Sequence, residues 1–392
     1  SLEQNAILSW QAFAEYVRGA GFTSTAGKDF ERLVKVTFKD AGNAGAADVV
    51  ADRLSRLPLV AATVIKIVNK EFERDMLSEG LTLDKVYVVR LTTALSFIDT
   101  AALRVLNYLS VPDMPMDTKG TVFALPGGYI PAGDIAKFAP IASQREKTLY
   151  DGIKESIKHA WYNGAWDRSP YEEDTVPEYT GYDYDKKYSW VKAPTYLGQP
   201  AQVGPLPHVV AMYLAGHETT RKYVDSTLAT VSALAGTTVG IPALHSTIGR
   251  IAARVIRCAV LHDTLGVQWQ ALIDNIGKGD LDTFNAPVFP KGEQRGTGFH
   301  EAPRGTLSHW IVIDNGKIKN YQCVVPSTWN AGPRNNEDAL GPYEASLVGN
   351  PIADPELPLE VLRTVHSFDP CLACAIHLVD GKKTPLGKVK VL

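Results

Sequence analysis

The sequence predicts a mainly α-helical protein with small β-hairpin elements, an α+β fold class. Apolar residues recur at three- and four-residue spacing from residue 5 to about 108. The same helical spacing returns in Glu218–Ala235 and, over a longer run, from about Leu244 to Ile276. By contrast, residues 307–325 carry strand-like segments around an Asn-Gly pair. We therefore expect a helical bundle that carries a β-hairpin.

The order of these elements suggests a helical first part and a more irregular second part. Residues 5–108 are predicted to form a helical bundle. Several prolines punctuate Val111–Gln144 and exclude long helices, so this stretch is expected to be a connector or a lobe. A helix is predicted for Lys147–Trp161. Residues 163–207 are rich in Tyr, Pro, Gly and Asp without a regular period, as is typical of loops that line partner surfaces.

Stronger local signals follow in the last third of the chain. The segment Leu307–Ile313, then Asp314-Asn315-Gly316, then Lys317–Val325 predicts a β-hairpin, because Asn-Gly supplies the positive φ angles that a tight turn needs. A short helix is predicted for Leu359–His366, and Asp369-Pro370 is expected to stop it.

Composition excludes several classes of function. The chain has 392 residues, 45% of them apolar, which is enough for a substantial core. Its 43 acidic and 40 basic side chains leave a net charge of −3, so bulk electrostatics do not favour nucleic acid. The longest apolar stretches are interrupted by charges well short of the roughly 20 residues that a membrane span requires. The amino terminus lacks a basic start and an apolar signal core, so any export signal is expected elsewhere, such as on a partner.

Four cysteines are too few for a disulfide scaffold, and two of them are crowded into Cys371-Leu372-Ala373-Cys374. This spacing lets both sulfurs meet one soft metal, and His377 follows three residues later. The spacing alone leaves open a buried pair of thiols, a zinc site lacking a second Cys-x-x-Cys, or a cluster completed by ligands from elsewhere, which is preferred. Cys258 and Cys323 are predicted to be ordinary core residues.

The segment Phe368–His377 contains the pattern Asp-Pro-Cys-x-x-Cys-x-x-His, which resembles the carboxy-terminal signature of [NiFe] hydrogenase large subunits. The motif variants look most like the uptake, membrane-associated type. The resemblance implies a helical bundle like that of the large subunit. It covers residues 111–392, whereas residues 1–110 are predicted to be a helical region without a clear family match. Four upstream blocks resemble that family in the same order: Tyr188–Pro194, Val203–Leu206, Glu301–Gly305 and Val324–Trp329.

The resemblance implies a nickel-iron centre whose iron carries CO and CN ligands. Cys371 would be a terminal nickel ligand and a candidate proton acceptor, while Cys374 would bridge nickel and iron. Thiolates suit this role because they are soft donors. His377 and the backbone carbonyl of Cys323 would bind a magnesium ion, together with a glutamate that the sequence does not place.

Two charged residues would complete the catalytic set by resemblance. Arg304 matches an arginine above the open coordination position, where a fixed cation can polarise dihydrogen or bind a cyanide; alternatively it is a surface or ion-paired arginine. Asp369 matches the carboxylate that orients this guanidinium, or it merely caps a turn before Pro370. His366 is a proton relay in one interpretation and a core histidine in the other.

The surroundings of the diatomic ligands are also implied by resemblance. Ser327 would donate a hydrogen bond to the second cyanide. Pro303, Val325 and Pro326 would form a dry wall, which raises the weight of each polar contact.

The sequence departs from the family in two places. An Arg-x-Cys-Gly-x-Cys block that supplies the other two thiolates is absent, and so is the Arg-Ile-Glu-Gly-His block before it; residues 1–105 contain no cysteine. Residues 378–392 extend beyond His377, and the resemblance implies that they are a precursor tail that an endopeptidase removes during maturation.

Two functions are therefore expected. The first is the catalytic large subunit of a [NiFe] hydrogenase, which oxidises dihydrogen reversibly and passes electrons to an iron-sulfur small subunit that carries all the Fe-S clusters. Maturation factors would be further partners, and the complex would lie on the periplasmic face of the cytoplasmic membrane, attached through partner subunits. The second is an inactive or immature hydrogenase-like scaffold or assembly intermediate without the bimetallic centre.

Overall fold

The computed structural model describes residues 106–117, 120–279, 281, 291–350, 352 and 358–370, and the backbone of 375–379 and 385–390. The predicted helical bundle over residues 5–108 lies outside these residues, apart from its last three. The chain divides into two compact units. One comprises Thr92–Val260 with Phe289–Leu392 and contains all of the described strands. Of the other, Ser1–Leu91 with Leu261–Val288, the structure describes the end of one helix and residue 281.

The described residues form fourteen strands and seven α-helices. The strands are β1 Asn107–Ser110, β2 Asp113–Pro115, β3 Phe123–Leu125, β4 Gly127–Ile130, β5 Ala139–Ile141, β6 Ile153–Ser156, β7 Asp167–Arg168, β8 Ala193–Tyr196, β9 Ala201–Gln202, β10 Glu293–Ala302, β11 Gly305–Asp314, β12 Lys317–Val324, β13 Ala375–Val379 and β14 Pro385–Lys390. The helices are α1 Lys147–Gly152, α2 Pro205–Leu214, α3 Glu218–Ala235, α4 Thr247–Gly277, α5 Pro326–Ala331, α6 Pro342–Leu347 and α7 Leu359–Ser367.

The prediction of a mainly helical fold is wrong. The described strands assemble into five sheets, ordered β5-β4-β1-β9, β10-β11-β12, β7-β6-β8, β2-β3 and β13-β14. Most of these strands have two to five residues, and their partners are often distant in sequence, as in β6 with β8 and β1 with β9. Such short segments carry no measurable period, so the sequence pattern cannot reveal them.

The predicted hairpin is confirmed in β11 and β12, which pair antiparallel from Ser308 with Val324 to Asp314 with Lys317. Its turn residues Asn315 and Gly316 both have positive φ, as a two-residue hairpin turn requires. The sequence did not predict β10, which pairs with β11 along its whole length. The outer strand β10 is largely exposed at its start and therefore lacks apolar alternation.

Three helix predictions are confirmed, because α3, α4 and α7 occupy the expected segments. The prediction of a helix through Trp161 is wrong: α1 ends at Gly152 and the chain continues as β6. Gly152 lies against the ring of Tyr196, where a Cβ atom would approach within 2.7 Å. The helix ends where the chain begins to pair with β8, with Ile153 opposite Tyr196.

One apolar core joins the four-stranded sheet to the β10-β11-β12 sheet. Phe299 and Trp310 supply aromatic rings from the latter sheet, with their centroids 6.1 Å apart. The core contains buried residues from strands, loops and helices throughout this unit: Leu109, Val111, Ile141, Leu149, Ile153, Tyr196, Ala201, Val203, Phe299, Trp310, Val324 and Trp329.

The prediction that Cys258 and Cys323 are core residues is wrong, since both side chains are exposed in the described structure. Cys258 lies on a helix and Cys323 on the outer strand β12, where its sulfur is 3.4 Å from His309 Nδ1. An apolar neighbourhood in sequence did not reveal which face of each element is buried. Among the helices that the structure describes, none is long and apolar enough to cross a membrane.

Two buried carboxylates fasten the first strands to the end of β10. Glu301 accepts a hydrogen bond from the backbone N–H of Val111 at 2.8 Å and another from the Thr306 hydroxyl. Asp113 accepts from the backbone N–H of Glu301 at 2.8 Å. Burial raises the pKa of Glu301 to about 7, although the nearby Arg257 opposes this rise.

This raised pKa predicts a pH-dependent stability. Because the folded carboxyl holds its proton more tightly than the unfolded one, the free energy of unfolding should fall as pH rises from about 4.5 to about 7. In Glu301→Gln the part of this fall that comes from Glu301 should be absent, so the variant gains up to about 3 kcal/mol relative to wild type between these limits. Urea unfolding at about pH 5 and pH 7.5 measures this difference. The exposed Glu337→Gln is the control; equal pH profiles for Glu301→Gln and wild type would contradict the prediction.

Candidate metal centre

Strand register brings two of the sequence blocks to one end of the β10-β11-β12 sheet. Pro303 and Arg304 form the turn between β10 and β11, since Ala302 pairs with Gly305. At the same end, Val324 of β12 pairs with Ser308, and the chain passes through the next residues into α5. The start of α5 therefore lies beside the end of the sheet that carries Arg304. It includes Val325 and Pro326, which were predicted to surround the diatomic ligands, and Ser327, which was predicted to donate a hydrogen bond to one of them.

Two glycines allow a third block to touch this turn. Gly204 and Gly305 have φ angles of +125° and +124°, a region that favours glycine. A Cβ atom on Gly305 would lie 2.4 Å from the backbone nitrogen of Gly204. The blocks Val203–Leu206 and Glu301–Gly305 are thus in main-chain contact, and a side chain at this point would force them apart.

Arg304 and Asp369 are brought together across 65 positions of sequence. Arg304 Nη2 lies 3.6 Å from Asp369 Oδ1, and each side chain is about one-third exposed, at 36% and 33%. The Nε atom of Arg304 is buried and has no hydrogen-bond partner among the described residues. The turn therefore presents an arginine that is held at one end by a carboxylate and retains a free donor.

Asp369 lies both at a helix ending and beside Arg304, so the structure agrees with each of the two roles that the sequence left open, a turn cap and a carboxylate that orients the guanidinium. Its φ of +57° places it in the left-handed region immediately after α7, and its N–H donates to His366 O at 2.9 Å. This is an αL helix ending, in which aspartate is tolerated better than most residues. Its backbone thus ends the helix while its carboxylate faces Arg304. His366 is exposed, so it is not a core histidine.

The thiols Cys371 and Cys374 lie outside the described residues, immediately after the segment that ends at Pro370. The backbone of His377 lies in β13, opposite Lys388 of β14. Cys323 is at the end of β12, one residue before Val324. Within the described residues, no group of three or more His, Cys, Asp or Glu side chains is arranged to hold a metal ion.

A row of arginines on α4 was missed by the sequence analysis. Arg257 donates to the carbonyl oxygens of Glu301 and Ala302 at 2.6 and 2.7 Å, and to that of Pro303 at 3.2 Å. Burial lowers the pKa of Arg257, while Glu301 and Asp113 work against this shift. The guanidinium is thus fixed to the main chain directly before Arg304.

The other two arginines of this row contact the segment before the thiols. Arg254 donates to the carbonyl of Ser367 at 2.8 Å, and its Nε lies 3.8 Å from Asp369 Oδ2. The guanidinium of Arg250 stacks 3.9 Å from the ring centroid of Phe368. These residues occupy positions i, i+4 and i+7 of the helix and therefore share one face. The spacing was visible in the sequence, but a charged helical stripe more often faces solvent.

A buried charge cluster was also missed. Lys192 Nζ lies 2.7 Å from Glu155 Oε2 and also contacts Glu173 Oε2, and both carboxylates are fully buried. Burial and the neighbouring Glu155 raise the pKa of Glu173 to about 9, despite Lys192. Burial opposes the charged form of Lys192, but the two carboxylates outweigh it and raise its pKa. The cluster therefore binds a proton more tightly than an isolated glutamate does. Lys192 was visible within the block Tyr188–Pro194, whereas the glutamates lie in segments without a pattern.

Comparison with known proteins identifies relatives of this chain. The Hydrogenase-2 large chain of Escherichia coli (strain K12) is 52% identical over 287 residues, which cover 73% of this chain and 51% of that protein. The Quinone-reactive Ni/Fe-hydrogenase large chain of Wolinella succinogenes is 37% identical over 304 residues, covering 73% of this chain and 50% of that protein. The H2-activated [NiFeSe]-hydrogenase of Dm. baculatum has a similar structure, with a TM-score of 0.63 and 26% identity over 82% of this chain and 59% of that chain.

The chain spans about half the length of the curated relatives it matches. A family model described as nickel-dependent hydrogenase matches residues 43–377. This match begins within the amino-terminal region for which the sequence analysis found no family resemblance. Because it covers more than half of the chain, the chain belongs to the nickel-dependent hydrogenase family.

Proposed function

We propose that this chain is part of the catalytic large subunit of a [NiFe] hydrogenase, which oxidises dihydrogen reversibly to protons and electrons. The proposal rests on the ion pair of Arg304 and Asp369. Arg304 lies at one end of the β10-β11-β12 sheet, and Asp369 lies two residues before Cys371. Family membership, with relatives named hydrogenase large chains, supports it.

The residues present fit one side of a nickel-iron centre. Cys371 and Cys374 would hold the metals, and soft thiolates three residues apart can reach one ion. The buried, unpartnered Nε of Arg304 is a free N–H donor, as an anionic ligand such as cyanide would need. Two further thiolates, which the family resemblance implies, would come from a segment that this chain does not contain.

When bound, the metals would supply a site at which dihydrogen is polarised and split, leaving a proton for a nearby base. Arg304 would hold its charge over that site, and Asp369 would limit the orientations of the guanidinium. Cys371 is the candidate acceptor of the proton. Ser327 would donate a hydrogen bond to a diatomic ligand, with Pro303, Val325 and Pro326 around it. His377 and the carbonyl of Cys323 would bind magnesium.

The partner would be an iron-sulfur small subunit, because a chain with four cysteines cannot build its own relay of clusters. A maturation endopeptidase would remove residues 378–392. We place the assembly on the periplasmic face of the cytoplasmic membrane, attached through partner subunits. The relative named quinone-reactive supports this location, since quinones reside in membranes.

The alternative is an immature or inactive scaffold without the bimetallic centre. One observation favours it: β13, which contains His377, pairs with β14 of the tail, so that His377 lies opposite Lys388. A strand paired in this way keeps the backbone around His377 in a hairpin.

Metal analysis of the protein, purified with its natural partners, separates the two functions. We expect about one nickel per chain and hydrogen-dependent reduction of a dye such as benzyl viologen. The nickel content is measured by mass spectrometry of the purified assembly after maturation. Nickel-free, inactive assembly would reject the catalytic proposal and favour the scaffold.

Replacement of one thiol tests the metal ligands. In Cys374→Ser we expect nickel to fall to background, because a hydroxyl is a poor ligand for a soft ion. Cys258→Ser is the matched control, since Cys258 is exposed on α4. Nickel and activity should both remain in that control. A loaded and active Cys374→Ser variant would show that Cys374 is not a ligand.

Replacement of Arg304 tests the role of its planar guanidinium. We expect Arg304→Lys to retain its nickel and to oxidise hydrogen about 10²-fold more slowly, because an ammonium cannot keep both the carboxylate contact and the free Nε donor. Arg295→Lys, on the same hairpin and 48% exposed, is the control. Steady-state hydrogen oxidation measures the effect, and wild-type rates in Arg304→Lys would contradict the assigned role.

A further inference from the structure

We propose that Arg254 is a positioning residue for the pair formed by Arg304 and Asp369, an inference that rests on the proposed function. Its guanidinium and that of Arg304 face different oxygens of the same carboxylate. Arg254 Nε lies 3.8 Å from Oδ2, and Arg304 Nη2 lies 3.6 Å from Oδ1. Asp369 is therefore shared by two arginines, of which only Arg304 lies on the β10–β11 turn.

Arg254 is anchored in a way that Arg304 is not. It donates at 2.8 Å to the carbonyl of Ser367, two residues before Asp369. One guanidinium thus donates a hydrogen bond to the main chain and forms an ion pair with the side chain of the same short segment. A carboxylate that is 33% exposed has several orientations available, and this double contact restricts them.

Arg257, on the same helix α4, contacts the segment directly before Arg304. Arg257 holds three consecutive carbonyl oxygens, those of Glu301, Ala302 and Pro303, directly before Arg304. Residues three apart on a helix are separated by about 4.5 Å along its axis. One turn of α4 therefore sets the spacing between the segment that carries Asp369 and the turn that carries Arg304.

The sharing of the Asp369 carboxylate between Arg254 and Arg304 affects the charge of Arg304. With two guanidinium groups and one carboxylate, the three side chains carry a net positive charge, and Arg304 is only partly neutralised. Without Arg254, both oxygens of Asp369 are free to form a two-bond contact with Arg304, the geometry that arginine and carboxylate prefer. Arg304 would then be drawn away from a ligand and its charge would be neutralised.

The kinetic test compares variants of the purified natural assembly. We expect Arg254→Gln to keep its nickel and to lower kcat about tenfold with KM changed by less than about twofold, since substrate access is unaffected. Arg254→Lys should recover part of the loss, because it restores the charge but not the double contact. The exposed Arg363→Gln, on α7, is the control and should match wild type.

Coupling separates positioning from a general loss of stability. If Arg254 acts through Asp369, the double variant Arg254→Gln/Asp369→Asn should be no more than about twofold slower than Asp369→Asn alone. Asparagine keeps the left-handed preference of this position, so the helix ending survives. Independent, multiplying effects in the double variant, or an unchanged kcat in Arg254→Gln, would overturn the proposal.

A crystal structure of Arg254→Gln measures the geometry without reference to activity. We expect Arg304 to move into a two-bond contact with both oxygens of Asp369, while Arg363→Gln keeps the single contact at the wild-type distance. An unchanged contact between Arg304 and Asp369 would reject the positioning role even if the proposed function holds. An inactive, nickel-free wild type would reject the proposed function, and this geometric result would still decide the role of Arg254.

Discussion

Hydrogen bonds from the arginines of α4 to main-chain carbonyl groups are the constraint on which this site depends. Arg257 binds the residues before the β10–β11 turn, and Arg254 binds the end of α7. Buried cations are costly unless they are paired or hydrogen-bonded, and carbonyl oxygens satisfy them without adding a second buried charge. One face of α4 thus connects two segments, the β10–β11 turn and the end of α7, that lie far apart in sequence.

Close backbone contacts complete this support. Gly204 and Gly305 let the β10–β11 turn lie directly against the start of α2, where any side chain would clash. Asp113 and Glu301 tie the same turn to the first strands through backbone N–H groups. The turn that carries Arg304 is therefore held from three sides, so its arginine is presented on a rigid main chain rather than on a free loop.

Local sequence signals were sufficient for part of the fold. Helical periodicity located α3 and α4, a proline and an aspartate bounded α7, and Asn315-Gly316 defined the β11–β12 hairpin. These signals act over a few residues, so they survive without tertiary context. The many short strands did not have such signals, because their stability comes from partners far along the chain. This is why the fold contains more sheet than its apolar pattern predicted.

The sequence by itself determined the family and the candidate ligands, because Cys371, Cys374 and the ordered blocks around them are recognisable as residue types at fixed spacing. Only the tertiary structure decided how Arg304, Asp369 and the arginines of α4 meet. The physical reason is distance along the chain: Arg254 finds its carbonyl partner 113 residues away. In sequence, its helical stripe is indistinguishable from a charged face that simply meets water, and packing alone directs that stripe toward the site.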